Sequence, residues 1–244
     1  MLATIKAEFR KLLTIRSTYF ITALALVLLG FIAFYGMGYK SESVITNNML
    51  RSYIMNCISI IQIFGGIVAI LLITHEYRYN TIMYTLTSSN SRLKVLFSKI
   101  IVMSAYAAVL AVVSAVLAGV LIVFGSNVAG HTIYASGLPL ADMAWKALVF
   151  VVGGVLAGLV IGFLARSVVF AVVAYFLIPT TVEPLLNGLL KVSTNYLPFM
   201  AQNQIIMEGD PKAFSPLASA GVFGAYLLGA WIIAAILFVR KDAN

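Results

Sequence analysis

"THEYRYNTIMYTLTSSNSRLKVLFSK", residues 74–99, is a polar and basic island between two long apolar runs. The runs on either side, Ile54 to Thr74 and Ile100 to Phe124, contain no charged residue. A bilayer core about 30 Å thick needs roughly 20 apolar residues per helical crossing. Both runs therefore read as membrane-spanning helices, with the island as their connection. Four further runs of similar length lie outward from this pair: Thr18 to Gly36, Ala144 to Leu164, Val168 to Leu190 and Ser219 to Val239.

The composition agrees. The 244 residues are 62% hydrophobic and only 10% charged, a balance foreign to a soluble domain of this length. A transmembrane barrel would alternate polar and apolar residues in segments of about 10, and that pattern is absent. The first run follows basic residues as a signal peptide would. It lacks a small-x-small cleavage site before a soluble domain, so it reads as a retained helix. The fold class expected is an all-α membrane protein with six transmembrane helices in a single domain, residues 1–244.

Charge gives the orientation. Eleven of the sixteen lysines and arginines fall on the side that holds both termini and the island, and five fall on the other. The positive-inside bias places the termini and residues 75–99 in the cytoplasm. The net charge of +8 lies on that side, where it meets anionic headgroups and gives no reason to invoke nucleic acid. Cys57 is the only cysteine, which excludes a disulfide framework or a thiolate metal site. His75 and His131 fall on opposite sides and cannot share a metal. Neither H-E-x-x-H nor G-x-S-x-G occurs, and no pair of intramembrane carboxylates is available to share a proton.

Three margins of the helices carry features. In "MLATIKAEFRKLLTIRS" the side chains of Leu2, Ile5, Phe9, Leu12 and Leu13 share one arc, with Lys6, Arg10, Lys11 and Thr14 opposite. This pattern fits a helix lying on the inner leaflet, the other reading being a solvated basic leader. In the island, Tyr79, Ile82, Met83 and Leu86 follow i, i+3, i+4, i+7 spacing after Asn80, a good N-cap. Arg92, Lys94 and Lys99 are expected at the membrane surface. A short helix there could dock into another protein or rest passively on headgroups.

The third margin is "YFLIPTTVEPLLNGLLKVSTNYLPF", residues 175–199. Pro179 and Pro184 each remove a backbone donor, so the crossing is expected to break near Ile178 and give a re-entrant or interfacial piece. Glu183 is the one acid near membrane depth, a functional candidate by default. Thr180-x-x-Glu183 also has the form of a capping box. On the fourth helix, Gly154, Gly158 and Gly162 form a close-approach face, suited to a dimer seam or to packing within the bundle.

The arrangement Glu76, Asn80-Thr81, Leu86, Arg92 and Lys99 resembles the stretch after the second helix in bacterial ABC-2 type permeases, the membrane subunits of type-2 ATP-binding-cassette exporters. Asn80 stands where glycine is usual, and the proline expected near Ser89 is missing. The basic amphipathic start and six-helix plan are similar to that family along essentially the whole chain. The resemblance implies an elbow helix at residues 1–17, including Ile5, Phe9, Arg10, Leu12 and Leu13. It implies a cytoplasmic coupling loop at 75–99 that fits a cleft in an ATPase subunit. There Glu76, Asn80, Thr81 and Arg92 supply the polar positions and Ile82, Met83 and Leu86 the buried face. It also implies short outer helices within a re-entrant and extracellular segment, 179–218.

No G-x-x-x-x-G-K-[ST] phosphate loop is present. The expected cofactors are therefore none in this chain, with ATP and Mg in a separate ATP-binding subunit. The other expected partners are the lipid bilayer and a second copy or a sister permease. The expected function is ATP-driven export of an amphipathic or hydrophobic substrate, a peptide antibiotic or lipid, across the bacterial cytoplasmic membrane. The competing readings are a secondary transporter or channel with no ATPase, against which the nearly uncharged crossings count, and a non-transporting anchor.

Overall fold

The computed structural model of the chain describes residues 2–79, 92–134, 137–207 and 211–241, the side chains of 239–241 excepted. Helix α1 spans Leu2–Thr14, and α2 spans Arg16–Phe31 and widens into a π-helical segment, Ile32–Tyr39. The island is flanked by α3 (Asn47–Arg78) and α4 (Arg92–Val128). Next come α5 (Leu140–Ala165), α6 (Val168–Leu177), a π turn at Ile178–Val182 and α7 (Glu183–Leu190). A 3₁₀ turn (Thr194–Tyr196), the short α8 (Pro198–Gln204) and α9 (Pro216–Lys241) complete the order.

Among the described residues, six helical stretches are long and apolar enough to cross a membrane: Arg16–Tyr39, Asn47–Arg78, Arg92–Ala129, Leu140–Ala165, Val168–Leu190 and Pro216–Phe238. Each overlaps a run read from the sequence. Several extend further because a polar turn at a helix end keeps its backbone hydrogen bonds although it leaves the apolar window. The chain is a multi-pass membrane protein.

Two helices form the centre. In α3 and in α5, 67% of the apolar window is buried, against 17% in α2 and 22% in α9, so the outer helices leave most of their apolar surface facing outward. Small residues let the central pair approach. A Cβ on Gly158 would lie 2.6 Å from the Gly66 carbonyl oxygen, and one on Gly162 would lie 2.6 Å from Ile73 Cγ2. Gly154, also on α5, faces the Gln62 side chain of α3. The glycine face thus packs on α3 of its own chain.

Gln62 brings a polar knot into this apolar centre. Its Nε2 donates to the Tyr175 hydroxyl at 2.7 Å, and that hydroxyl is 3.2 Å from the Gly154 carbonyl. In hydrocarbon no water can substitute for these partners, so the bonds select one arrangement of α3, α5 and α6.

Two features depart from the sequence reading. Residues Val44–Thr46 (β1) and Thr132–Tyr134 (β2) form a parallel pair in the register Val44↔Thr132, Ile45↔Ile133, Thr46↔Tyr134. Its central Ile45 is fully buried, and it ties together two loops at the end of the bundle opposite α1. The other departure concerns the prolines. The regular α-helix stops at Leu177, beside the expected break near Ile178, but the backbone stays helical through a π turn from Val168 to Leu190. Pro179 stands in the π turn and Pro184 just after it, where the i→i−4 ladder is already interrupted, so the π turn absorbs the misfit of the missing N–H groups. The helix ends at Lys191, which adopts a left-handed conformation.

Candidate functional site

The amino-terminal helix brings charge to the bundle. On α1, Glu8 and Lys11 stand three residues apart and share a face. That face meets α3 two residues before its last residue, at Glu76, and α4 about two turns after its start, at Lys99. The Lys99 ammonium donates to Glu8 Oε2 at 2.6 Å and to Glu76 Oε1 at 2.7 Å. Lys11 donates to Glu8 Oε1 at 2.8 Å and to Glu76 Oε1 at 3.0 Å. Two acids and two bases from three helices thus close a neutral cluster.

Burial makes this cluster consequential. Glu8 and Lys99 are 0% exposed and Glu76 is 6% exposed. A buried charge is tolerated only when paired, because desolvation costs several kcal/mol per ion. Burial pushes the Glu8 carboxyl upward, but the charges and hydrogen bonds of Lys99 and Lys11 outweigh it and hold the group below its ordinary value. Burial opposes the charge on Lys11, yet Glu76 and Glu8 hold its ammonium above the ordinary lysine value. Both groups are thereby kept charged at neutral pH. The second oxygen of Glu76, Oε2, is buried and has no hydrogen-bond partner among the described residues.

Lys99 is a correction to the sequence reading, which puts it at the membrane surface. The basic spacing of Arg92, Lys94 and Lys99 gives no sign that the third turns inward. The signal lies in Glu8, the sole acid among the first 41 residues. A lone acid within a basic leader needs a cation. Leu12 is buried and Ile5 half-buried, whereas Phe9, Arg10 and Leu13 are exposed. The stripe facing the bundle runs through Glu8, Lys11 and Leu12, and Phe9 and Leu13 remain on the open side.

Around the cluster, Arg92 donates to the carbonyl of Phe238 at 3.2 Å, placing a cation at the carboxyl end of α9. Arg166, left-handed at the end of α5, lies over the Tyr77 ring at 5.3 Å. The ends of α3, α4, α5 and α9 are joined here. Asn80, Thr81, Ile82, Met83 and Leu86 lie outside the described residues, directly between Glu76 and Arg92 in the sequence.

Glu183 belongs elsewhere. The expected capping box is not formed: Thr180 Oγ1 donates to the Phe176 carbonyl at 2.6 Å. The Glu183 carboxylate instead accepts the backbone N–H groups of Phe199 and Met200, at 2.8 and 2.7 Å. It caps α8, sixteen residues on, whose first residue is a proline and whose own N-cap position, Leu197, offers no side-chain acceptor. No group of three or more His, Cys, Asp or Glu side chains that could hold a metal occurs among the described residues.

The sequence matches the family described as ABC-2 family transporter protein over residues 4–183. That is well over half of the chain. The chain belongs to the ABC-2 transporter family. The matched region runs from α1 to the first residue of α7, so it includes all four members of the ion cluster and the island. Nothing among the curated proteins matches the chain. As an ABC-2 family member it is a membrane transport subunit.

Proposed function

We propose that this chain is the permease subunit of an ATP-driven exporter, moved by a separate ATP-binding subunit that docks on the island between α3 and α4. The observation that carries this reading is the buried cluster Glu8–Lys99–Glu76–Lys11. It fixes α1 to both helices that flank the island, so a force applied at residues 76–92 reaches the amino-terminal elbow and the ends of α3 and α4 together. Glu76 anchors the island from within the bundle, and Arg92 links its far boundary to α9.

The termini and the island face the cytoplasm in this reading, which the excess of lysine and arginine on that side supports. ATP binding closes two ATPase subunits, pushes the islands of a permease pair and shifts the bundle from inward-open to outward-open. ATP and Mg act in the partner, since this chain has no phosphate loop. The smooth apolar crossings suit an amphipathic or hydrophobic cargo. A second copy or a sister permease completes the pathway, because six helices enclose little space of their own.

Affinity purification from gentle detergent tests this. A P-loop ATPase is expected to copurify with the wild type and to be lost from Leu86→Glu, which inserts into the membrane normally. Purification of the wild type alone, from cells that express its whole transporter, is the contrary outcome.

A further inference from the structure

Glu183 is 2% exposed, and its two carboxylate oxygens accept the N–H groups of Phe199 and Met200. Among the described residues no lysine, arginine or histidine side chain pairs with it. A buried carboxylate is ordinarily matched by a cation, and here two backbone N–H groups hold it instead. α6 starts just after Arg166, at the end of the bundle that holds the ion cluster. Glu183, about 22 Å further along at 1.5 Å per residue, lies toward the other end.

The remaining side-chain bonds of α8 are neutral. Gln202 Nε2 donates to the Phe150 carbonyl of α5 at 2.9 Å, and the Ser219 hydroxyl of α9 donates to Gln204 Oε1 at 3.1 Å. Gln204 Nε2 donates in turn to Asn195 Oδ1 at 2.8 Å. Amides and hydroxyls of this kind do not titrate. A proton reaches the seat of α8 through Glu183 alone among these groups, and its effect there is specific. Protonation removes the charge and turns one acceptor oxygen into a donor, so one of the two N–H groups loses its partner in a place shielded from water.

The other titratable groups on the surrounding elements do not offset that change. On α6 the Tyr175 hydroxyl is bonded to Gln62, and on α5 Asp142 and Lys146 pair with each other at 2.9 Å. Tyr196 of the 3₁₀ turn and Tyr226 of α9 are exposed, as are Lys191 and Lys212 in the connecting loops. Arg240 and Lys241 close α9 at its other end. The π turn and α8 contain no titratable side chain.

α7 is placed to move. It joins α6 through the π turn Ile178–Val182, which includes Pro179, and a helix bends most readily at a π segment or a proline. Its Leu185, Leu189 and Leu190 are exposed. Among the described residues the Glu183 carboxylate makes the only side-chain hydrogen bonds between α7 and α8.

We propose that Glu183 is a proton-operated latch at the end of the bundle opposite α1. Ionised, it holds α7 against α8. Protonated, it releases α7, which swings about the π turn while α8 stays on α5 and α9. The latch depends on neither the ion cluster nor an ATPase.

Spin-label distances in the full chain, carrying Cys57→Ala and reconstituted in lipid nanodiscs, test this. One label pair joins Leu189→Cys on α7 to Asn203→Cys on α8, and a second joins Val149→Cys on α5 to Asn203→Cys, all exposed positions. Between about pH 8 and about pH 5, a window in which Glu8 stays ionised, the α7–α8 distribution is expected to broaden toward longer distances. The α5–α8 distribution should stay narrow throughout. With Glu183→Gln, which lacks the charge and one acceptor oxygen, the α7–α8 distribution should be broad at both pH values. The comparison of the two pairs in the protein that keeps Glu183 decides the matter even where Glu183→Gln fails to insert. An α7–α8 distribution unchanged by pH overturns the proposal, as does a Glu183→Gln protein that stays narrow or follows pH as its parent does. Equal broadening of both pairs overturns it too, since that result means loosening of the whole end of the bundle.

Discussion

Lys99 shows how much one side chain can hold. Completely buried, it bonds carboxylates from two other helices, and truncation would leave Glu8 and Glu76 with Lys11 alone between them among the described residues. Breaking a buried pair by removing one partner costs about 3–5 kcal/mol. Lys99→Ala is therefore expected to lower the thermal unfolding midpoint in detergent far more than Lys94→Ala, on the same helix. Glu8 sets the acid side of a pH profile. Its folded-state pKa is lowered from 4.5, so its contribution is complete above that value and is lost as the pH falls through the folded value. Lys11 is raised from 10.5, so its contribution is complete below that value and is lost as the pH rises through the folded one. Unfolding midpoints measured from about pH 3 to pH 8 should fall on acidification in the wild type and fall less in Glu8→Gln. Equal slopes in the two proteins would remove Glu8 from the account.

Among the elements, α3 and α5 were the most legible and the segment after α6 the least. Charge-free runs about 20 residues long announce crossings whatever their neighbours, and the glycine spacing on α5 announces a close approach. What it approaches is a tertiary fact. A Cβ on Gly158 would lie 2.6 Å from a backbone oxygen of α3, an atom that cannot rotate away. Gly158→Ala is accordingly expected to destabilise by about 1–3 kcal/mol, the usual cost of overpacking. Gly221→Ala, on α9 with nothing within 4 Å, should be neutral or stabilising by helix propensity. Thermal unfolding of the two variants side by side checks this, and equal effects would contradict the close α3–α5 contact. The prolines misled for a local reason: proline is costly where it breaks a regular i→i−4 ladder, and the π turn between α6 and α7 shifts that ladder where they stand, so the backbone stays helical around them. Glu183 misled because its partners are sixteen and seventeen residues away. The rule that reads Thr-x-x-Glu as a box is blind to a helix arriving later in the chain.

For the molecule as a whole, the membrane class and the number of crossings follow from hydropathy alone, because the bilayer imposes length and internal hydrogen bonding on whatever spans it. The candidate site was legible in part. Glu76, Arg92 and Lys99 stand out by position around the island, but the closure of the cluster by Glu8 depends on how α1 lies against α4, which no local pattern encodes. The strand pairing of Val44–Thr46 with Thr132–Tyr134 is hidden in the same way, since three residues carry too little periodicity to register. With α1, α3 and α4 joined by the cluster, their ends are expected to move as one rigid body when a nucleotide acts on the assembly. The most direct measurement is a spin-label distance between Arg10→Cys on α1 and Leu93→Cys on α4, both exposed positions, in a background where the sole cysteine is replaced by Cys57→Ala. In the assembled transporter one narrow distance distribution is expected, unchanged by ATP, that broadens when Lys99→Met is added. A distance that shifts with ATP in the presence of Lys99, or one indifferent to Lys99→Met, would contradict it.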